Sequence, residues 1–171
     1  MKTVSGRVAI GVSEGPAGAT YDDLDTFLAA LRAVGEEYDV LVQAVDARYV
    51  ADEAHLQAAL DHAKRAMDRG ENVADDLAVE VLCYAAGRRQ IEEAMTLGLG
   101  EGVQSVIVLL DGDHAEAAAD AVRDLIVPGP TTPDEDRLTA FFGITPAEQE
   151  ATTADLAALV RERVALLDVE K

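Results

Sequence analysis

The chain of 171 residues carries 14 Lys and Arg against 33 Asp and Glu, a net charge of −19, with 49% hydrophobic residues and a single cysteine. That much periodic apolar content excludes a disordered acidic tail, and the lone Cys83 excludes a disulfide framework or a thiolate metal cluster. Length predicts one domain, residues 1–171, with enough interior for a core.

Only three of the basic residues are lysines, Lys2, Lys64 and Lys171. An acidic, lysine-poor and alanine-rich surface suits a cytoplasm of very high salt, where screening suppresses self-repulsion. The competing explanation is an acidic protein with basic partners. The N-terminus MKTVSGRVAIGVSEG lacks an apolar run of signal-peptide length and reads as a strand, so a reducing cytoplasm is the expected compartment.

The first strand is expected over Thr3 to Val12, on Val4, Val8, Ile10 and Val12, and SEGPAGAT breaks it. Thr20 is the expected N-cap of a helix that buries Leu24, Phe27, Leu28 and Leu31 and stops at Gly35. A second strand follows within Tyr38 to Ala47. Val50 to Arg69 is helical, with Leu56, Ala59, Leu60, Ala63 and Met67 on one stripe and Gly70 as the stop.

Residues 77–86 are apolar almost all round, the mark of a short buried helix. Gly87 can end it in a left-handed conformation, with Arg88 and Arg89 beside that end. A second helix starts at once, with Glu92 and Glu93 in its first turn and Ile91, Ala94, Met95 and Leu97 inward, until Gly98, Gly100 and Gly102 stop it. Two helices therefore meet at an arginine-bearing elbow.

Val103 to Leu110 is the strongest strand, apolar enough to be covered on both faces. DGDHAEAAADAVRDL predicts a short acidic helix, and LIVPGPTTP a turn or a brief edge strand. Small helices around Asp134–Phe142 and Pro146–Glu150 precede the last helix, Thr152–Leu167, whose Leu156, Leu159, Val160, Val164 and Leu167 share one side. The expected fold is α/β, a small mixed β-sheet flanked by several helices with a C-terminal amphipathic helix.

No constellation for catalysis, metal or cofactor stands out. GVSEGPAG lacks the lysine and Ser/Thr of a phosphate loop, and GLGEG follows a helix and precedes a strand, the reverse of a dinucleotide site. No serine sits in a nucleophile elbow. His55 and His62 lie two helical turns apart, about 10 Å, too far to share a metal. They and His114 read as surface residues, and DGDH as a helix cap. Charge is more telling. From Arg48 to Arg89 there are 6 basic and 8 acidic residues, against 8 and 25 elsewhere. Basic residues near helix ends explain part of this island. The alternative is a small anion-binding face, where single-stranded nucleic acid would also want a stacking or apolar platform such as Tyr84 or Ile91.

The segment DLAVEVLCYAAGRRQIEEAMTLGLGEG closely resembles the signature of the small regulatory subunit of the KEOPS complex, in its archaeal form. The matching residues are Leu82, Tyr84, Ala86, Gly87, Arg88, Arg89, Gln90, Ile91, Ala94, Gly98 and Leu99, with Ala86 where the family often has Ser. VQAVDARYV with the His55-Leu56 helix, FGIT at Phe142 and the terminal RERVALLDVEK extend the resemblance over most of the chain. It implies a protein with no catalysis of its own; no metal, cofactor, membrane or small-molecule substrate is expected. It further implies docking on the complex's kinase/ATPase subunit and capture of the single-stranded 3′ tail of tRNA, for threonylcarbamoyl transfer to adenosine 37. The expected RNA-binding residues are Lys64, Arg65, Tyr84, Arg88, Arg89, Gln90 and Ile91. The expected kinase-docking residues are Leu156, Leu159, Arg163, Leu167 and Val169. A small-ligand sensor domain, with a pocket at GVSEGPAG and the glycines after Leu97, is the competing class.

Overall fold

A computed structural model describes residues 1–15 and 18–170. In chain order these form β1 (Lys2–Ile10), β2 (Thr20–Tyr21), α1 (Leu24–Tyr38), β3 (Leu41–Asp46), a 3-10 turn (Ala47–Tyr49) and α2 (Glu53–Arg69). Then come α3 (Leu77–Ala86), α4 (Ile91–Ala94), a second 3-10 turn (Met95–Leu97), β4 (Gly102–Asp111) and α5 (Ala115–Arg123). The rest is β5 (Val127–Pro128), α6 (Glu135–Phe142), α7 (Pro146–Ala151) and α8 (Leu156–Glu170). The fold is α/β with a mixed sheet, as the alternation of strand and helix patterns predicts. The chain divides into two compact units, residues 1–47 with 98–131, and residues 48–97 with 132–171.

The first unit holds the sheet, in the order β2-β1-β4-β3, with β5 also paired to β1. β1 and β4 run antiparallel over nine residue pairs, from Lys2 opposite Leu110 to Ile10 opposite Gly102. Strand residues of even number on β1 and β4 face one way, so Val4, Val8, Ile10, Val106, Val108 and Leu110 share a core with Phe27 and Leu31 of α1 and Ala118 and Val122 of α5. The two-residue β5 is the brief edge strand that LIVPGPTTP allows.

Helix α1 starts later and ends later than the sequence predicts. Thr20 lies in β2, and Asp23 caps the helix by accepting from the Thr26 N–H at 2.7 Å. Asp23 wins because its carboxylate is free to fold back on the first turn. Gly35 is inside the helix, since Asp39 takes the left-handed position with φ 51°, a conformation aspartate tolerates. At α5 the DGDH segment supplies no side-chain cap: His114 holds the N-cap position without one, and Asp111, the last residue of β4, pairs with the N-terminal ammonium at 3.3 Å.

The second unit is helical. α3 is its centre: residues 80–86 are all buried, and α3 packs on α2 and α8. Asp76 caps α3 through the Val79 N–H at 3.1 Å, and Gly87 ends it at φ 60°. A Cβ on Gly87 would come within 3.2 Å of the Arg163 carbonyl oxygen, so the elbow needs glycine both for its backbone and for the close passage of α8. A smaller core joins Leu138, Phe142 and Ile144 to Leu159 and Val160.

Candidate functional site

The elbow is built by side chains that hold the polypeptide around it. Glu80, fully buried, accepts from the backbone N–H groups of Val73 (3.0 Å) and Ala74 (2.8 Å) and so fixes the link between α2 and α3. His55 is core rather than surface. Its Nδ1 accepts from the Ala51 N–H at 3.2 Å, which places the ring proton on Nε2, facing the Ala85 carbonyl at 2.7 Å. Burial pushes the His55 pKa below its ordinary value, against the opposing pull of the Ala85 carbonyl and Asp52.

Tyr84 is also fully buried, which removes it from the stacking platform. Its ring stacks on His62 at 5.5 Å between centroids and 24° between planes. Its hydroxyl donates to Asp168 of α8, whose other oxygen lies 2.7 Å from His62 Nδ1. Burial, then the hydrogen bond to the Asp168 carboxylate, push the Tyr84 phenol far above its usual pKa. Tyr84 thus ties α3 to the end of α8.

The two arginines have different positions. Arg88 is half-buried: it donates to the Phe141 carbonyl, lies 4.6 Å over the Phe141 ring and pairs with Glu93 at 3.3 Å. It belongs to the scaffold, and removing it disturbs folding as well as charge. Arg89 is exposed, with Nη1 donating to the Glu170 carbonyl at the end of α8.

Arg89 and Gln90 line an open pocket of about 850 Å³ together with residues 70–73 and Asp168. Ile91, expected to face inward, is 41% exposed next to Gln90, and Met95 is 54% exposed. The reason is that α4 spans a single turn, and only Ala94 and Leu97 point to the core. Lys64 and Arg65 are exposed on α2 and do not line the pocket. The structure therefore brings Arg89 and Gln90 to the pocket, leaves Ile91 exposed beside it and Lys64 and Arg65 aside, and turns Tyr84 and Arg88 to support.

Helix α8 presents two apolar faces. Leu159, Val160, Val164 and Leu167 are buried, so Leu159 and Leu167 are core and not docking residues. Leu156 is half-buried against Leu138 and its neighbours. Arg163 is committed inward: it donates to the Phe142 carbonyl at 3.2 Å and pairs with Glu148 at 2.8 Å, closing the end of α6. Hydrogen bonding to Glu148 raises its pKa further. On the other side Glu162, Ala165, Leu166 and Val169 are exposed at helical spacing, Leu166 by 39% and Val169 by 80%. Of the five docking residues expected, Val169 alone is fully open to a partner, and Leu166, outside that set, is exposed beside it.

Among the described residues, no group of three or more His, Cys, Asp and Glu is placed to hold a metal ion, and no helix is long and apolar enough to cross a membrane. The GVSEGPAG pocket includes Pro16 and Ala17, which lie outside the described residues.

The outer stripe of α8 leaves Leu166 and Val169 open to solvent, and exposed apolar patches rimmed by polar residues mark interaction surfaces. A family model described as Kinase binding protein CGI-121 matches residues 24–168, and the chain belongs to that family of kinase-binding proteins. A search of the curated proteins returns no match.

Proposed function

We propose that this chain is the regulatory, tRNA-binding subunit of a KEOPS complex. It docks the complex's kinase/ATPase through the outer face of α8 and receives the single-stranded 3′ CCA tail of tRNA at the elbow pocket. It serves threonylcarbamoyladenosine formation at tRNA position 37 without catalysis of its own. The observation that carries the reading is the exposed stripe of Ala165, Leu166 and Val169 on the last helix of a chain in a kinase-binding family. Apolar side chains at i, i+1 and i+4, open on a helix whose opposite face is core, are the anchors a groove on a partner would take.

At the pocket, Arg89 offers a planar cation and Gln90 an amide that both donates and accepts, and Ile91, exposed next to Gln90 outside the pocket lining, adds an apolar surface for a base. Glu71 and Asp168 in the same lining disfavour indiscriminate phosphate binding. The composition fits work in a high-salt archaeal cytoplasm, where phosphate contacts are screened and bases must be held by stacking and hydrogen bonds.

The test is tRNA binding by the chain with intact tRNA, with tRNA lacking its 3′ tail, and with Arg89→Glu. Trimming the tail removes stacking of roughly 1–3 kcal/mol per base, and Arg89→Glu weakens binding while the melt is kept. Equal affinity for trimmed and intact tRNA would sink tail capture. Failure to bind either tRNA or kinase returns the chain to the sensor class.

A further inference from the structure

The last turn of α8 faces both proposed sites at once. Outward it carries Leu166 and Val169. Inward, Asp168 lines the pocket and accepts from Tyr84 and pairs with His62, while the Glu170 carbonyl receives Arg89. A helix cannot satisfy its own last four carbonyls, and its end frays unless something outside holds it. Among the described residues the last turn has no basic residue and carries Asp168 and Glu170, which oppose the negative end of the helix dipole. Three side chains from other elements supply what the turn lacks: His62 from α2, Tyr84 from α3 and Arg89 from the elbow.

We infer that this turn is a two-state element that couples kinase docking to RNA capture. Folded, it presents Leu166 and Val169 on one face, holds Arg89 at the pocket mouth, and keeps both oxygens of Asp168 occupied by His62 and Tyr84. Frayed, it loses the outer stripe, releases Arg89 and withdraws Asp168 from Tyr84 and His62. The kinase and the RNA tail therefore favour the same state, and each strengthens the other's binding by the same factor. The kinase removes the loss of RNA affinity that fraying causes, in proportion to the fraction of chains frayed. This inference rests on the two sites assigned under Proposed function.

The experiment titrates a labelled single-stranded RNA ending in CCA with the full chain, alone and with saturating partner kinase. The variants are His62→Ala and Tyr84→Phe, neither of which lines the pocket or the outer stripe; Tyr84→Phe keeps the ring and so keeps the fold. Each is expected to weaken RNA binding by the chain alone by about threefold or more, and the kinase is expected to restore wild-type affinity to within about twofold. A loss that is equal with and without kinase makes Asp168 a purely local pocket residue and overturns the coupling, as does no loss at all. If the unaltered chain binds no RNA or no kinase, the site assignment itself falls, a result distinct from independent binding at both sites.

Discussion

At the residue scale, the positions that matter most are buried polar groups rather than surface charges. His55 is held neutral inside the second unit, with a pKa depressed below the ordinary 6.5 chiefly by burial. The unfolded chain takes up that proton near the ordinary value, so the stability tied to a neutral His55 is complete above it and is lost as pH falls through it. The stability advantage of the wild type over His55→Gln should shrink below that point by up to about 1.4 kcal/mol per pH unit. Chemical denaturation of both proteins across about pH 7.5 to 5.5 measures this, and a constant difference would refute it. Glu80→Ala leaves the Val73 and Ala74 N–H groups without their acceptor and should cost about 1–3 kcal/mol. Gly87→Ala forces an L side chain into the left-handed region, costing about 1–2 kcal/mol, and sets its Cβ against the Arg163 carbonyl. Thermal melts of the two variants check both values; a melt unchanged in either would remove the structural role given to that residue.

At the element scale, periodicity makes α3 and its glycine stop legible, because a helix apolar on every side has only the interior to go to. The same logic reads α8 half correctly. Its inner stripe is evident in the spacing of Leu159, Val160, Val164 and Leu167, yet spacing does not say that this stripe is already covered by the chain itself. The clue to the outer face is the apolar excess at Leu166 and Val169 beyond what one stripe requires. Tyr84 is misread for a related reason: a tyrosine beside an elbow serves equally as platform or as core, and only the positions of His62 and Asp168 decide. Glu80 and His55 are invisible to composition, since their buried partners are backbone groups, which no residue type announces. The two faces of α8 make opposite predictions. Leu167→Asp places a charge in the core and should lower the melt sharply, by several kcal/mol of stability. Val169→Asp, on the open face, should leave the melt within about 0.5 kcal/mol. Equal effects on the melt would mean that the faces have been confused.

At the scale of the whole molecule, a net charge of −19 on 171 residues makes salt part of the stability. Lowering ionic strength lengthens the Debye screening distance and exposes the chain's self-repulsion. The melting temperature should fall steadily as salt drops from molar concentration to about 0.1 M, and a melt independent of salt would separate the acidic composition from stability. RNA affinity should vary little over the same range, because an acidic chain with few phosphate-facing cations releases few counterions. The central claim is that the outer face of α8 is where the kinase docks. Titration of the partner kinase with the wild-type chain and with Leu166→Asp and Val169→Asp, each with its melt recorded, tests it most directly. The account predicts a loss of about 2 kcal/mol or more in binding with the melt retained. Full kinase affinity in both folded variants would contradict it and move the docking surface off α8.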